Sequence, residues 1–142
     1  MSVTFFDKAP STQLFIDFRA ECGWGIISNE LAKTAIDNSL LWISAYADDE
    51  VIGFVRLIGD GALNYYIQDL IVDSSYREQG IGRALMEKLL SLCAGVVPDG
   101  ATIGLMAVHG KEPFYEELGF QSRPVGRFGA GMTMCYDSGL KT

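Results

Sequence analysis

The sequence predicts an α/β domain with a mixed β-sheet, because strand-like and helix-like patterns of apolar residues follow one another along the chain. Two strand candidates, Leu41–Tyr46 and Val51–Leu57, are joined by the turn-forming pair Asp48-Asp49 and are expected to form a hairpin. A third candidate, Tyr65–Val72, leads through a glycine-containing turn into an amphipathic helix. These observations define the fold class, and the remaining elements fit around them.

The N-terminal part of the chain predicts one short strand and two helices. Val3–Phe6 is the strand candidate, and Ser11 and Thr12 are suitable N-caps for the first helix. The apolar face of that helix consists of Leu14, Phe15, Phe18 and Cys22. The segment Gly23-Trp24-Gly25 is expected to end it, and a second helix follows through Glu30–Ile36.

The helix that begins near Gly80 has a clear periodicity. Its apolar residues recur at every fourth position as Ile81, Leu85, Leu89 and Cys93. Beyond it, the patterns predict a strand at Thr102–Val108, a short helix at Pro113–Leu118 and a closing strand at Met132–Tyr136. With a further short strand near Phe120–Arg123, the sheet is expected to contain six or seven strands, accompanied by about four helices.

Composition limits the classes of function. A chain of 142 residues, 49% of them hydrophobic, is expected to form a single domain over residues 1–142. Its net charge of −7 opposes binding to nucleic acid, which requires a basic surface. No apolar run approaches the roughly 20 residues of a membrane span and no signal peptide is apparent, so a cytoplasmic protein is predicted. Three cysteines without metal-ligand spacing predict neither a disulfide framework nor a metal site.

One short stretch, SSYREQGIGRALM at residues 74–86, has the features of an anion-binding turn. Backbone amides in the first turn of a helix have no partner inside the helix, and the helix dipole adds positive character there. Gly80 and Gly82 allow a phosphate to approach the main chain, while Arg77 and Arg83 add charged donors. A P-loop is disfavoured because its lysine is missing, and a dinucleotide fingerprint is disfavoured because Leu85 takes the place of its third glycine.

Two motifs resemble those of one family. Residues Val72–Gly82 are similar to motif A of the GNAT superfamily of acyl-CoA-dependent N-acetyltransferases, in which (Arg/Gln)-x-x-Gly-x-(Gly/Ala) binds the coenzyme A pyrophosphate. The segment Phe114–Phe120, FYEELGF, is similar to the C-terminal motif of the same family. The resemblance extends to the order of elements over nearly the whole chain. It implies a GNAT fold, acetyl-CoA as co-substrate and a sheet splayed between the strands Tyr65–Val72 and Thr102–Val108.

The resemblance also implies which residues contact coenzyme A. Main-chain groups of Leu70, Ile71 and Val72 are expected to bind the acetyl and pantetheine portions in the manner of an added strand. The pyrophosphate is expected to lie against Arg77, Glu78, Gln79, Gly80, Ile81, Gly82 and Arg83. His109 stands where the family often has an asparagine that contacts the pantetheine arm, although a helix cap or a surface position fits a lone histidine equally well.

The implied chemistry is direct attack of a primary amine on the thioester within a ternary complex. Tyr115 matches the family tyrosine that protonates the departing thiolate, and the Leu70 amide is the expected donor to the oxyanion. Family members often carry a general base at the positions of Tyr66 and Gln68, neither of which is a base at neutral pH. A base from elsewhere, a water relay held by these two residues and an acceptor that arrives deprotonated all stay open. Strand alternation turns Asp69 to the opposite face, where a structural hydrogen bond is expected.

The sequence leaves the acceptor undefined. Four aromatic residues are candidates for a box around an amine, held by cation–π attraction: Trp24, Tyr65, Tyr66 and Phe128. Ordinary core or lid packing is the alternative for each of them. The expected acceptor is a small-molecule amine or an amine of a protein or peptide, and the family makes a homodimer a further expectation. A non-catalytic acyl-CoA-binding or regulatory domain of the same fold is the alternative function.

Overall fold

The computed structural model describes residues 2–139, which form five strands and four α-helices in an α/β arrangement. The strands are β1 (Val3–Phe6), β2 (Leu41–Ala47), β3 (Glu50–Gly59), β4 (Asn64–Val72) and β5 (Thr102–Gly104). The helices are α1 (Thr12–Glu21), α2 (Asn29–Asp37), α3 (Ile81–Cys93) and α4 (Glu112–Glu116), and a 3-10 turn spans Ser74–Tyr76. Over the described residues, none of the helices combines the length and the apolar character needed to cross a membrane.

The strands of the described chain form one mixed sheet in the order β1-β2-β3-β4-β5. The pairings among the first four strands are antiparallel, and β5 is parallel to β4. The predicted hairpin between β2 and β3 is therefore confirmed, with a register shift between Ala45 and Tyr46. The chain divides into two compact units between Leu105 and Met106, so the whole sheet belongs to the first unit.

The prediction of six or seven strands is wrong for the described residues, which contain five. The strand expected at Thr102–Val108 ends at Gly104, and neither Phe120–Arg123 nor Met132–Tyr136 is a strand. Alternation of apolar and polar residues suits a half-buried strand, but a strand exists only where a neighbour pairs with its backbone groups. The apolar side chains Met132, Met134 and Tyr136 are between 78% and 91% exposed, so their alternation does not mark a buried face.

One face of the sheet is covered by α1 and α2. Aromatic rings meet there: Phe15 and Phe54 lie 5.9 Å apart, and Phe18 stacks on Phe54 at 5.3 Å between centroids. Ile71 from β4 joins the same buried cluster. Ser11 caps α1 as predicted, its Oγ accepting a first-turn backbone amide at 3.2 Å.

The opposite face of the sheet is covered by α3. Leu85, Met86 and Leu89 of this helix are completely buried. The neighbouring β3 residue is a glycine for steric reasons, since a Cβ on Gly53 would lie 3.3 Å from Leu85 Cδ1 and 2.9 Å from the Ile71 carbonyl oxygen. The close approach of the β4 backbone, together with the packing of α3 on the sheet, therefore requires glycine at this position.

The turn between β3 and β4 is organised by one carboxylate. Asp60 Oδ1 accepts hydrogen bonds from the amides of Ala62 and Leu63 at 2.8 Å and from the Asn64 amide at 3.1 Å. The bond from Asn64, followed by those from Ala62 and Leu63, lowers the pKa of Asp60 from 3.8 to about 2. The ionised carboxylate thus stabilises the turn that leads into β4.

Asp60→Ala is expected to lower the free energy of unfolding at neutral pH and to have a smaller effect in acid. The folded-state pKa of Asp60 lies below its unfolded value, so its contribution is present above about pH 4 and is lost as the pH falls toward about 2. Urea unfolding at neutral pH and at about pH 2 measures this: the free-energy difference between wild type and variant should shrink in acid.

Asp99→Ala is the matched control, because it removes an exposed carboxylate from the turn before β5. Because Asp99 accepts none of the three amide hydrogen bonds that Asp60 accepts, Asp99→Ala should lower the free energy of unfolding at neutral pH less than Asp60→Ala does. An Asp60→Ala effect that does not depend on pH would contradict the role assigned to the Asp60 carboxylate.

Candidate functional site

A β-bulge at Asp69 interrupts β4. The register with β3 changes between Phe54 and Arg56, so that two β4 residues, Asp69 and Leu70, oppose the single residue Val55. Asp69 has a left-handed backbone with φ of 57°. The extra residue of a bulge is left out of the hydrogen-bonded ladder. The main chain at Leu70, the predicted oxyanion donor, therefore lies where β4 departs from regular pairing with β3.

The other edge of β4 is open along its second half. β5 pairs with β4 only over the segment from Asn64 to Tyr66, the last pair being Tyr66 with Gly104. Beyond that pair, among residues 2–139, β4 has no strand partner on this side. An open strand edge presents N–H and C=O groups with which another extended chain can pair. The predicted cofactor contacts Leu70, Ile71 and Val72 lie in this second half of β4.

Side chains within the turn from β4 to α3 hold it in place. Asp73 accepts a backbone amide two residues further on at 2.8 Å, and Arg77 Nε donates to the Val72 carbonyl at 3.2 Å. Glu78 and Gly80 have φ values of 63° and 79°, so two left-handed residues direct the chain into the helix. Arg77 thereby attaches the turn to the end of β4.

The N-terminus of α3 contains a glycine that the packing of this fold does not require. The helical ladder starts with the Ala84 amide, which donates to the Gly80 carbonyl at 3.0 Å, so the amides of Ile81 and Gly82 point out of the helix end. The nearest described neighbour of a Cβ on Gly82 would be Val72 Cγ2 at 3.9 Å. Because a side chain would fit here, the glycine is better explained by the close approach of a ligand such as a phosphate.

The other predicted pyrophosphate contacts lie on the surface around this helix end. Ile81 is the exception, because its side chain is buried and only its main chain faces outward. Arg83 is exposed and its Nε lies 3.7 Å from Glu87 Oε2, a surface pair of the kind that adds little to stability. The exposed residues of the turn are Arg77, Glu78, Gln79 and Gly80.

Asp69 is the centre of a buried group of charges. Its carboxylate binds Arg19 Nη1 of α1 through Oδ1 and Arg56 Nε of β3 through Oδ2, the latter at 2.8 Å, and its side chain is fully buried. Arg56 also donates to Ser39 Oγ at 3.2 Å. We refer to Asp69, Arg19 and Arg56 as the Asp69 cluster. It connects α1 and the segment after α2 to the sheet at the bulge.

The ion pairs give Asp69 the structural role that was predicted. The predicted direction of its side chain, however, is wrong. Regular alternation puts Asp69 and Gln68 on opposite faces. Instead, Gln68 Nε2 donates to Asp69 Oδ1 at 3.4 Å, and Arg56, the cross-strand partner of Gln68, binds the same carboxylate. The left-handed backbone of Asp69 breaks the alternation, so both side chains leave β4 on the same side.

Sequence reasoning missed Arg19 and Arg56, although one signal was present. Arg56 lies in an apolar strand, on the face that carries Phe54, and a charge on a core-facing position requires a buried partner. That signal predicts an ion pair for Arg56 but does not identify its partner, because Asp69 is 13 residues away, in the next strand.

The two adjacent tyrosines of β4 have different environments. Tyr65 is 3% exposed, and its hydroxyl donates to the Val96 carbonyl at 3.4 Å, so it is a core residue rather than a neighbour of Tyr66 in an aromatic box. Tyr66 is half-buried on the opposite face, and burial raises the pKa of its phenol above 10. Of the two, Tyr66 therefore keeps its candidacy for the acceptor side.

The two exposed aromatic candidates already contact cations of the chain. In the first unit, the Trp24 ring lies 5.5 Å from the Arg19 guanidinium and is 38% exposed. In the second unit, Phe128 is 48% exposed and lies 5.2 Å from the guanidinium groups of both Arg123 and Arg127. Both rings have the geometry for cation–π contacts, and here these contacts are made within the chain.

The second unit contains Tyr115 on α4. Its ring makes edge contacts with Phe114 at 5.0 Å and with Phe120 at 6.3 Å between centroids. Burial raises the pKa of the Tyr115 phenol above its ordinary value of 10, so the hydroxyl keeps its proton at neutral pH. His109 is exposed, between β5 and α4.

Comparison with known proteins identifies the family. The protein-family model of the acetyltransferase (GNAT) domain matches residues 12–135. The chain therefore belongs to the GNAT family of acetyltransferases. A solved Staphylococcus aureus structure, described as a "probable acetyltransferase", is similar with a TM-score of 0.83 and 27% identity, covering 95% of this chain and 100% of that one.

Two curated relatives carry more specific names. GCN5-related N-acetyltransferase 2, chloroplastic, of Arabidopsis thaliana is 39% identical over 79 residues, which is 56% of this chain and 30% of the relative. Peptidyl-lysine N-acetyltransferase YjaB of Salmonella typhimurium is 30% identical over 92 residues, which is 65% of this chain and 57% of the relative. The chain thus spans less than two thirds of the length of either relative.

Gly82→Val is expected to abolish binding of acetyl-CoA while the protein still folds. The added methyl groups would project from the helix end where a phosphate is expected to approach, in a region where the fold itself has room. Differential scanning fluorimetry with acetyl-CoA measures this. At about 100 times its Kd, a ligand stabilises the fold by about 2.7 kcal/mol and raises the Tm, and Gly82→Val should lose this rise.

Gly95→Val is the matched control at the other end of α3. The nearest described atom to a Cβ there is the Leu92 carbonyl oxygen at 3.9 Å, so the two substitutions are sterically alike. Gly95→Val should keep the full rise in Tm. Equal responses of the two variants would reject the phosphate-binding role of the turn.

Proposed function

We propose that this chain transfers an acetyl group from acetyl-CoA to a primary amine. The observation that carries the proposal is the combination, in one strand–turn–helix unit, of a strand edge that is open in the described chain and a glycine-lined helix N-terminus. An extended pantetheine arm suits an edge of main-chain donors and acceptors, and a pyrophosphate suits the helix end. Membership of the GNAT family supports this assignment.

The proposed donor site uses the main chain more than side chains. Leu70, Ile71 and Val72 pair with the acetyl and pantetheine portions at the edge where the sheet opens beyond Tyr66. The amides from Glu78 to Arg83 receive the pyrophosphate, with the two arginines of the turn adding charge to an otherwise acidic chain. His109 is proposed to lie along the pantetheine arm.

The chemistry requires one proton to leave the amine and one to reach the sulfur. The amine nitrogen bonds to the thioester carbonyl carbon, and the carbon–sulfur bond breaks when the tetrahedral intermediate collapses. In this proposal the Leu70 amide donates to the oxyanion, and Tyr115 gives its proton to the departing thiolate. The raised pKa of Tyr115 keeps its hydroxyl protonated at neutral pH, so a proton is present to donate, and disfavours the same residue as a base.

The proton of the attacking amine leaves, in this proposal, through water. Tyr66 is a poor base because burial raises its pKa, and the Gln68 side chain does not titrate. Asp69 is also unsuited, because an arginine binds each of its carboxylate oxygens. A water between the Tyr66 hydroxyl and the side-chain carbonyl oxygen of Gln68 can carry the proton. Alternatively, the amine arrives already deprotonated.

For the acceptor we propose a primary alkyl amine, on a peptide lysine or on a small molecule. The name of one relative at 30% identity specifies peptidyl lysine as the acceptor of that protein. The net charge of −7 favours the approach of a cationic acceptor by long-range attraction.

A non-catalytic acyl-CoA-binding domain is the second candidate. The observation that favours it is that Tyr66 and Gln68, neither of which is a base at neutral pH, occupy the positions where the resemblance to the family implies a base. Both candidates bind acetyl-CoA, so only turnover separates them.

Release of free thiol from acetyl-CoA, followed across a panel of amines, tests the proposal. The panel contains a lysine peptide, a polyamine, an amino sugar and an arylalkylamine. We expect thiol release with at least one amine, and kcat/KM should rise with pH up to the pKa of that amine, because no protein base is proposed. Binding of acetyl-CoA without thiol release for any amine would favour the non-catalytic domain.

Tyr115→Phe is expected to lower kcat by about 10²-fold with little change in affinity for acetyl-CoA, because only the proton donor is removed. Steady-state kinetics with the best acceptor and calorimetric titration with acetyl-CoA measure the two quantities. Tyr136→Phe is the control, since it removes the hydroxyl of an 82% exposed tyrosine in the same unit. A wild-type kcat for Tyr115→Phe would exclude the residue from the reaction.

We further propose that residues 1–142 act as one domain in the cytoplasm. The family match from residue 12 to residue 135 crosses the boundary between the two compact units, which supports one domain. The chain has three free thiols, Cys22, Cys93 and Cys135, and free thiols suit a reducing compartment.

The resemblance to the family also suggests a homodimer. Light scattering in solution tests this oligomeric state.

A further inference from the structure

The backbone of Asp69 is unusual within this chain. Three non-glycine residues of the described chain have positive φ: Asp48, Glu78 and Asp69. The first two lie in exposed turns, where such conformations are common, whereas Asp69 lies inside a strand and is 3% exposed. A left-handed residue inside a strand is disfavoured unless its surroundings hold it there.

We infer that the Asp69 cluster positions the acetyl-binding main chain. Arg19 and Arg56 hold Asp69 in its left-handed conformation, and this conformation sets the direction of the next amide, that of Leu70. The inference rests on the proposed function, in which that amide donates to the thioester oxygen. Asp69, Arg19 and Arg56 are therefore positioning residues, which act through Leu70 and do not themselves contact the reacting atoms.

Stability alone does not explain the cluster. Replacing a buried ion-pair group by apolar residues of similar size is often neutral or stabilising, so such groups are weak evidence for a stabilising role. Moreover, within the described residues, Arg19 Nε is buried without a hydrogen-bond partner. A glycine would supply the left-handed backbone without any buried charge. What two arginines add is a restraint on each carboxylate oxygen, and therefore rigidity at the bulge.

The restraint comes from elements that are distant in sequence. Arg19 lies on α1, 50 residues from Asp69, and its guanidinium lies between the rings of Phe15 and Trp24 at 5.7 Å and 5.5 Å. Arg56 is held in turn by Ser39 Oγ after α2. The helix layer on this face of the sheet thus supports the main chain at the bulge.

Two triple variants separate backbone conformation from charge. Arg19→Met/Arg56→Met/Asp69→Gly removes all three charges but keeps a residue that adopts positive φ freely. Arg19→Met/Arg56→Met/Asp69→Ala removes the same charges and leaves a residue that disfavours positive φ. The pair differs only at residue 69, and neither variant leaves an unpaired buried charge.

The readout is the carbonyl stretch of carbonyl-labelled acetyl-CoA in isotope-edited infrared spectra, together with the ratio of its affinity to that of CoA. A donated hydrogen bond lowers the stretching frequency. We expect the wild type and the Gly triple variant to share the lowered frequency and to agree within about twofold in the affinity ratio, and the carbonyl band of the Gly triple variant to be broader because the restraint from the two arginines is missing. The Ala triple variant should lose the frequency shift. Its ratio of affinity for acetyl-CoA to affinity for CoA should fall about five- to tenfold, which corresponds to the loss of one hydrogen bond.

Adenosine 3′,5′-bisphosphate keeps the adenosine and one phosphate of the pyrophosphate but lacks the acetyl and pantetheine portions, so it controls for folding and for the phosphate turn. Its affinity should be equal in all three proteins. If the Ala triple variant fails to fold, Arg19→Met alone provides the test, because Asp69 then loses one of its two restraints and the carbonyl band should broaden.

The outcomes distinguish this inference from the proposed function. A wild type that binds neither acetyl-CoA nor the bisphosphate contradicts the proposed function. Two results overturn only the role of the Asp69 cluster: a lowered carbonyl frequency in the wild type that the Ala triple variant keeps, or a carbonyl band of Arg19→Met that is as narrow as that of the wild type.

Discussion

The rest of the structure depends on one buried carboxylate. Removing one partner from a buried ion-pair group costs about 3–5 kcal/mol, because the remaining charge stays desolvated, so the three charges are stable only together. Asp69 meets Arg19 from α1 and Arg56 from β3, and a left-handed backbone for a residue other than glycine costs about 1–3 kcal/mol by itself. The ion pairs offset that cost. They also connect helix α1 and the central strands β3 and β4 at the bulge.

β4 is irregular on both of its edges in the same short segment. On the β3 side the bulge takes Asp69 and Leu70 out of register, and on the β5 side pairing stops at Tyr66. A strand that is well paired on both sides has no main-chain groups left for a ligand. The irregularities therefore place unpaired backbone beside the turn that begins α3, and a cofactor with an extended arm and a pyrophosphate can use both.

The sequence was most informative where structure is local. The periodicity of α3 predicted its buried face, and the hairpin of β2 and β3 followed from two apolar runs around a polar turn. The sequence patterns gave wrong predictions where the structure depends on a partner that is distant in the sequence. The alternation in Met132–Tyr136 predicted a strand, but the described chain has none there, because a strand also requires a neighbour. The alternation through β4 likewise assigned Asp69 to the wrong face, since it cannot anticipate a bulge.

By itself the sequence determined the glycine-containing turn at the start of α3 and the family. Arg77, Gly80 and Gly82 lie within six residues, so their spacing translates directly into a helix N-terminus with open amides. Only the tertiary structure decided how the neighbouring strand is held. Arg19 and Asp69 are 50 residues apart, and each has an unremarkable local context. Their pairing arises when α1 packs on the sheet and burial leaves each charge a partner of opposite sign, which no local pattern encodes.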